Sequence, residues 1–293
     1  MDESKLYNAL LKSQEERRQM ALKSGEARSD NEFRTERPFA GAGGTSEEFT
    51  RINADQEDHP PTVFDSAVTL GMIGNPRPWS REQLRERKII HPGMTDKAIL
   101  EAYRDVRIQL RNRASDEEDN FTMMLSGLGE GQVSVLTAYN LAASFAMDAH
   151  TSALLVDCDP YNRDLPGLVS TAMEHGVTDY VADGALGIKD ILYPSGVDRL
   201  TVIPAGTQAS SAVELFSAVR MRDLMSELRG RYPDRCIVIN APPFHGSAEA
   251  RILVRYADQV VLGVPFGEVT GDDVMECVDA LGTEKFSGLI FQE

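Results

Sequence analysis

The stretch FTMMLSGLGEGQVSVLTAYNLAASFA, residues 121–146, decides the fold. Its apolar run Phe121–Leu125 predicts a buried strand, and residues 134–149 predict a helix. Three alternating glycines stand between them: Gly127, Gly129 and Gly131. Backbone amides in such a loop can cradle a phosphate, because glycine permits conformations and close approaches that other residues do not. A tight strand–helix turn without any ligand accounts for the same glycines, so the loop alone leaves both interpretations open.

Apolar runs and helical segments alternate along the rest of the chain. Further strands are predicted at Ala153–Val156, Leu200–Ile203, Cys236–Ile239, Val260–Val264 and Leu289–Phe291. Further helices are predicted at 95–113, 219–231, 247–257 and 270–282. Short runs that are apolar on both faces are typical of parallel strands covered on both sides. The alternation predicts an α/β fold, a doubly wound and mostly parallel sheet of the P-loop type, over residues 86–293.

The N-terminal third has a different character. Residues 1–24 predict a short helix that either docks on a partner or is a solvated, frayed helix. Residues 25–85 contain glycine and proline clusters and almost no apolar periodicity, which predicts a flexible linker.

Composition narrows the classes of function. The 293 residues carry a net charge of −16, which opposes binding to nucleic acid or to anionic lipid. No apolar run reaches the ~18–20 residues that span a bilayer, and the first residues lack a secretory pattern. We therefore expect a cytoplasmic protein that a protein partner recruits to the membrane. The three scattered cysteines fit buried free thiols and have no metal-ligand spacing.

The glycine loop lacks the side chains that act on phosphate. Working phosphate loops end in Gly-Lys-Ser/Thr, where lysine reaches the β- and γ-phosphates and the hydroxyl binds Mg²⁺. Gln132 and Val133 occupy these two places, and they supply neither a positive charge nor a metal ligand. The sequence therefore predicts a degenerate nucleotide site, to which we assign Gly127, Gly129, Glu130, Gly131, Gln132, Val133, Ser134 and Asn240.

Polar residues at two predicted strand ends complete this site. Asp157 and Asp159 follow the run Ala153–Val156, where carboxylates are costly unless they meet a cation or water. They are the candidate catalytic residues if the site is active, and Asp157 is a weak candidate metal ligand. A turn at Asp159-Pro160 explains the same residues without function. Asn240 stands where an aspartate would hold Mg²⁺-bound water, and it cannot balance metal charge.

A fourth motif precedes the first strand. Glu101, Arg104 and Arg107 lie at i, i+3 and i+6 on one side of a predicted helix. Glu101 and Arg104 can form an intrahelical pair worth ~0.2–0.5 kcal/mol. Alternatively, the guanidinium groups can bind carboxylates of a neighbouring subunit.

These elements, in this order, resemble the bacterial tyrosine kinases (BY-kinases) of capsule and exopolysaccharide systems, most closely the autokinases linked to exosortase-type loci. The similarity spans residues 86–291. Further family motifs are matched by Ile203–Gly206 with Glu214-Leu215, by Arg231–Arg235 leading into Pro242-Pro243, and by Glu249–Arg251.

The resemblance implies a MinD/ParA-like P-loop fold, a homo-oligomer assembled through Glu101, Arg104 and Arg107, and an inner-membrane polysaccharide copolymerase, the chain-length determinant, as partner. It also implies ATP or ADP with Mg²⁺ as ligands, weakened here by the departures at the loop and at Asn240. The family's C-terminal tyrosine cluster is not matched, since the last tyrosine is Tyr256.

Three interpretations follow. Phosphoryl transfer depends on positioning and charge, so the lost groups favour a pseudokinase with a regulatory or scaffold role. An active tyrosine autokinase would use Asp157 and Asp159 for Mg²⁺, and Arg163 or an arginine of a neighbouring subunit in place of the lysine. A MinD/ParA-like positioning ATPase would require the loop lysine and a membrane or DNA surface.

Overall fold

The computed structural model describes residues 75, 77–114, 121–128, 135–148, 151–231 and 235–292, all within the unit Ser66–Glu293. The predicted helix at 1–24 and most of the predicted linker lie outside the described residues. Four further stretches lie outside them: 115–120, 129–134 after the first strand, 149–150, and 232–234 before the fifth.

Eight α-helices and seven strands occur in these described ranges. The helices are α1 Arg81–Glu86, α2 Lys97–Arg111, α3 Val135–Ala146, α4 Val177–Ala182, α5 Ala212–Ser217, α6 Val219–Arg231, α7 Ala248–Leu253 and α8 Gly271–Leu281. The strands are β1 Thr122–Gly127, β2 Ser152–Asp157, β3 Tyr193–Pro194, β4 Leu200–Ile203, β5 Arg235–Ala241, β6 Gln259–Pro265 and β7 Phe286–Gln292. Short 3₁₀ turns connect several of them.

The strands form a single sheet in the order β3-β4-β2-β5-β1-β6-β7. Every neighbouring pair is parallel except β3 and β4. All residues of β1, β2, β4 and β5 are buried, as expected of strands whose two faces are both covered. The order places β1 and β5 at the centre of the sheet. The predicted doubly wound, mostly parallel α/β fold is confirmed.

Helix and strand positions follow the apolar pattern closely. The strand at Leu200–Ile203 and the helix at 219–231 have the predicted bounds, and the others differ by a few residues. Cys158, Cys236 and Cys277 are buried free thiols, as expected. Within the described part of the chain, no helix is both long and apolar enough to cross a membrane.

The described end of the predicted linker packs on the domain, which corrects its assignment as flexible up to residue 85. The backbone N–H of Trp79 donates to the carbonyl of Gly196 (2.9 Å), and its indole N–H donates to the carbonyl of Leu168 (3.0 Å). The Arg87 guanidinium lies 4.0 Å from the indole centroid. At Gly196, whose φ is +105°, an added Cβ would lie 2.4 Å from the Trp79 ring. One aromatic residue therefore anchors a segment that has no apolar periodicity.

Candidate functional site

The carboxyl end of β1 is fixed by bonds to both neighbouring strands. The Ser126 hydroxyl donates to the carbonyl of Pro242 (2.6 Å). The N–H of Leu128 donates to the carbonyl of Gly263 (2.8 Å), and the N–H of Phe244 donates to that of Gly127 (2.8 Å). The chain therefore enters the glycine loop from a rigid point at the centre of the sheet. The loop residues Gly129, Glu130, Gly131, Gln132, Val133 and Ser134 lie outside the described residues.

Asp157 and Asn240 meet across the sheet, as their strand-end positions predict. They are register partners on the parallel pair β2 and β5. The Asn240 side-chain amide donates to Asp157 Oδ1 at 2.8 Å, and the N–H of Asp159 donates to the same oxygen at 3.1 Å. Both side chains are 2% exposed. The buried Asp157 carboxylate thus accepts hydrogen bonds from two neutral donors, and these bonds bring no positive charge to it.

Burial controls the protonation of Asp157. Desolvation raises the pKa of this carboxyl to about 7, against the lowering effect of the donors from Asn240 and Asp159. The pKa of Asp159 is also raised by desolvation, although the N–H groups of Tyr161 and Asn162 oppose the shift. Because its pKa is near 7, the Asp157 carboxyl has the proton affinity of a general base, but at pH 7 it is ionised in only part of the molecules.

The donor set around Asp157 does not fit Mg²⁺. This ion takes near-octahedral oxygen ligands and charge compensation from carboxylates. Here an amide N–H occupies Asp157 Oδ1, and the amide of Asn240 adds no charge. In the described ranges, no group of three or more His, Cys, Asp or Glu side chains is placed to hold a metal ion.

A second polar cluster, which the sequence did not indicate, lies beside Asp159. The Tyr161 hydroxyl donates to Glu249 Oε1 at 2.7 Å, and the Ser247 hydroxyl donates to Glu249 Oε2 at 3.0 Å. Burial raises the pKa of Glu249, but these hydrogen bonds outweigh it and the net pKa is lowered. The same bond raises the pKa of Tyr161 to about 12. The two residues are 88 positions apart, so no local pattern could reveal the contact.

A cavity of ≈ 770 Å³ opens at this edge of the sheet. Residues that follow β1, β2, β5 and β6 line it, including Leu128, Tyr161, Pro243 and Glu249. Its position is the one where open parallel sheets bind ligands. Arg163, the cation suggested as a replacement for the loop lysine, is exposed and is not among the described lining residues.

The side chains of Glu101, Arg104 and Arg107 on α2 form contacts within the chain itself. Arg104 pairs with Glu101 at 2.6 Å, with both side chains well exposed, which is the intrahelical alternative. Arg107 donates to the carbonyl of Ser144 at 2.7 Å, near the end of α3. The structure therefore accounts for both arginines within one chain, and their role in a subunit contact stays a prediction.

Comparison with known proteins agrees with this architecture. No protein-family model matches the chain. The tyrosine-protein kinase YwqD of Bacillus subtilis is 26% identical over 209 residues, which cover 70% of this chain and 85% of the relative. The VpsO kinase domain is 26% identical with a TM-score of 0.56, over 68% of this chain and 98% of that domain. The kinase domain of Escherichia coli tyrosine kinase ETK, 24% identical over 74% of this chain and 88% of that domain, has the same fold with a TM-score of 0.60.

A central parallel strand that runs into a three-glycine loop and a helix defines the P-loop class of α/β proteins. Within that class, the chain is similar to the bacterial tyrosine kinases. Its loop departs from the motif at Gln132 and Val133, and Asn240 stands one residue before the end of its fifth strand.

Proposed function

We propose that this chain is a pseudokinase, a member of the family that has kept the fold and lost phosphoryl transfer. The observation that carries the proposal is the hydrogen bond from the Asn240 amide to Asp157. It occupies Oδ1 of a carboxylate that an active site would leave open to a metal. Gln132 and Val133 remove the two loop side chains that act on phosphates and Mg²⁺.

The energetic consequence is large. One charge-assisted hydrogen bond contributes about 1.5–3 kcal/mol, and enzymes lower their barriers by about 8 kcal/mol or more. Loss of the lysine, the hydroxyl and the strand-end carboxylate together removes a substantial share of that stabilisation. All three missing groups would contact the same Mg²⁺–phosphate unit, so the loss of one is not compensated by another.

The second candidate function is an active tyrosine autokinase, and the raised pKa of Asp157 favours it. A carboxylate that titrates near pH 7 can accept the proton of a tyrosine hydroxyl. In that case Asp157 and Asp159 would be the catalytic residues, and an arginine such as Arg163 would take over the charge of the missing lysine.

A radiolabel assay separates the two candidates. Purified full-length protein is incubated with γ-labelled ATP and Mg²⁺, and phosphotyrosine is measured with an Asp157→Ala variant as control. The pseudokinase proposal predicts background incorporation in both proteins. Phosphotyrosine in the wild type that disappears in Asp157→Ala would overturn it and establish the autokinase.

The biological role that we propose is regulation or scaffolding in exopolysaccharide biosynthesis and export. The chain would act in the cytoplasm, as a homo-oligomer, beside an inner-membrane polysaccharide copolymerase. Support comes from the family resemblance and from the net charge of −16. Because this charge repels anionic lipid, a membrane-protein partner is better suited than the lipid surface to hold the chain at the membrane. The segment 1–24, tethered by the linker, would serve as the docking arm.

A genetic experiment tests this role. Deletion of the gene should reduce or alter exopolysaccharide, and a Gln132→Ala allele should restore it, because no catalysis is lost. Deletion of residues 1–24 should weaken recruitment to the membrane while the domain stays folded. A Gln132→Ala protein that is folded and abundant yet behaves like the gene deletion would contradict a pure scaffold.

A further inference from the structure

The cavity at the carboxyl edge of the sheet has a charge opposite to that of a nucleotide site. Three carboxylates line it: Glu249, Glu268 and Asp273. Hydrogen bonds from Thr270 lower the pKa of Asp273, and the pKa of Glu249 is lowered as well, so both are ionised at neutral pH. None of the described lining residues is lysine or arginine. Arg251 lies near Cys277 but outside the lining.

The rest of the described wall is mainly apolar and aromatic, with His245 and Ser247 as further polar side chains. Leu128, Pro242, Pro243 and Val269 provide apolar surface, and the Tyr161 ring, 54% exposed, stands at the side. Two residues before Glu268, the side chain of Phe266 is 81% exposed. Guanidinium groups stack on aromatic rings and pair with carboxylates, while their stems cover apolar surface. A wall of this kind suits an arginine.

We infer that this cavity is a docking site for an arginine-bearing peptide segment of a protein partner. Charge complementarity selects a cation, and the exposed Tyr161 ring in the wall selects a cation that stacks. The volume of ≈ 770 Å³ is within the range of about 300–1,000 Å³ typical of binding pockets, so it admits several residues rather than a single ion. The inference rests on the proposed function, because a nucleotide held at this edge would compete for the same space.

Glu268 is the residue that tests the inference. Its side chain is exposed, whereas Asp273 caps α8 through Thr270 and Glu249 is held by Tyr161 and Ser247. Substitution of Glu268 therefore removes a lining charge without removing a structural contact. Asp279 gives the matched control, since it is exposed on α8 and does not line the cavity.

The experiment measures fluorescence anisotropy of a labelled Gly-Arg-Phe-Arg-Gly peptide with the full chain, and of the same peptide with citrulline in place of arginine. Glu268→Gln should weaken binding of the arginine peptide about tenfold, the effect of one charge-assisted hydrogen bond, and Asp279→Asn less than twofold. The citrulline peptide should bind at least tenfold more weakly. Absence of saturable binding, equal losses in both variants, or equal affinity for the two peptides would overturn the inference.

Two further measurements distinguish failure of the docking inference from failure of the proposed function. Displacement of the bound peptide by ATP with Mg²⁺ would contradict the proposed function and leave the dependence on Glu268 intact. Light scattering of the protein alone identifies the other occupant: a fall in oligomeric mass in Glu268→Gln, without one in Asp279→Asn, would mean that a second copy of this chain fills the cavity. That result would overturn the assignment to a protein partner.

Discussion

At the scale of single residues, the buried Asp157 sets a pH dependence. Its pKa in the folded protein is raised from 3.8 to about 7, so the folded state holds the proton more tightly than the unfolded state. The stability contributed by this group is present below the unfolded pKa and is lost as pH rises towards 7. The ionised carboxylate therefore destabilises the folded protein at neutral pH.

Asp157→Asn should remove this penalty. Its free energy of unfolding, relative to wild type, should increase between pH 5 and 7 by at most about 1.4 kcal/mol per pH unit. Urea denaturation over this range measures the difference, with Asp198→Asn, an exposed aspartate, as control. A difference that is constant with pH would show that Asp157 titrates at its ordinary value.

Asn240→Asp should place a second carboxylate beside Asp157, at a site where the two side chains now lie 2.8 Å apart. Like charges at this distance repel, so the melting temperature should fall without metal and recover when Mg²⁺ is added. Calorimetry with and without Mg²⁺ measures both effects. The swap Asp157→Asn with Asn240→Asp keeps a single carboxylate and should show no response to Mg²⁺. Stabilisation of the wild-type protein by Mg²⁺ would contradict the conclusion that the site of Asp157 and Asn240 does not fit this ion.

The sequence predicted this pair because parallel strands end at one edge, which brings their following residues together. Position alone could not predict that Asn240 donates to Asp157 or that the carboxylate is 2% exposed. The Tyr161–Glu249 bond could not be predicted at all, because it depends on how the β2 and β5 loops are oriented in three dimensions.

At the scale of elements, the two arginines of α2 separate stability from assembly. Arg107 joins α2 to α3 through the Ser144 carbonyl, so Arg107→Ala should cost about 1.5–3 kcal/mol of unfolding free energy. Among the residues that the structure describes, Arg104 pairs only with Glu101, and this pair is exposed. Arg104→Ala should therefore change stability by less than about 1 kcal/mol. Urea denaturation measures both values.

Light scattering on Arg104→Ala then tests assembly without interference from unfolding. If α2 forms a subunit contact, the oligomeric mass should fall although stability is unchanged. An unchanged mass would assign Arg104 to its intrahelical pair alone.

Long helices were predictable, whereas several of the shortest elements were not. The 13 residues of α6 are enough for a helical period to be read. Helices α1, α4 and α5 have six residues each, fewer than two turns, and β3 has two. Tertiary contacts determine whether such short segments form a helix or a strand. Arg220, for example, donates to the carbonyls of Tyr180 and Leu186 around the end of α4.

At the scale of the whole molecule, the P-loop fold has neutral and acidic groups at its ligand edge, where the motif has a lysine and an aspartate. Gln132 and Asn240 each replace a charged residue, and three carboxylates line the adjacent cavity. Nothing in this change affects the core, since the strands that carry the edge remain fully buried. The proposed pseudokinase would therefore keep this fold for assembly and partner binding without turnover.

Isothermal titration of the full chain with ATP and ADP, each with and without Mg²⁺, tests the central claim most directly. A pseudokinase with this edge should bind neither nucleotide more tightly than a Kd of about 1 mM, or about 4 kcal/mol, and Mg²⁺ should make no difference. The reverted variant Gln132→Lys, Val133→Ser, Asn240→Asp should gain Mg²⁺-dependent binding and serves as the positive control. Wild-type protein that binds ATP with micromolar Kd only when Mg²⁺ is present would contradict the account.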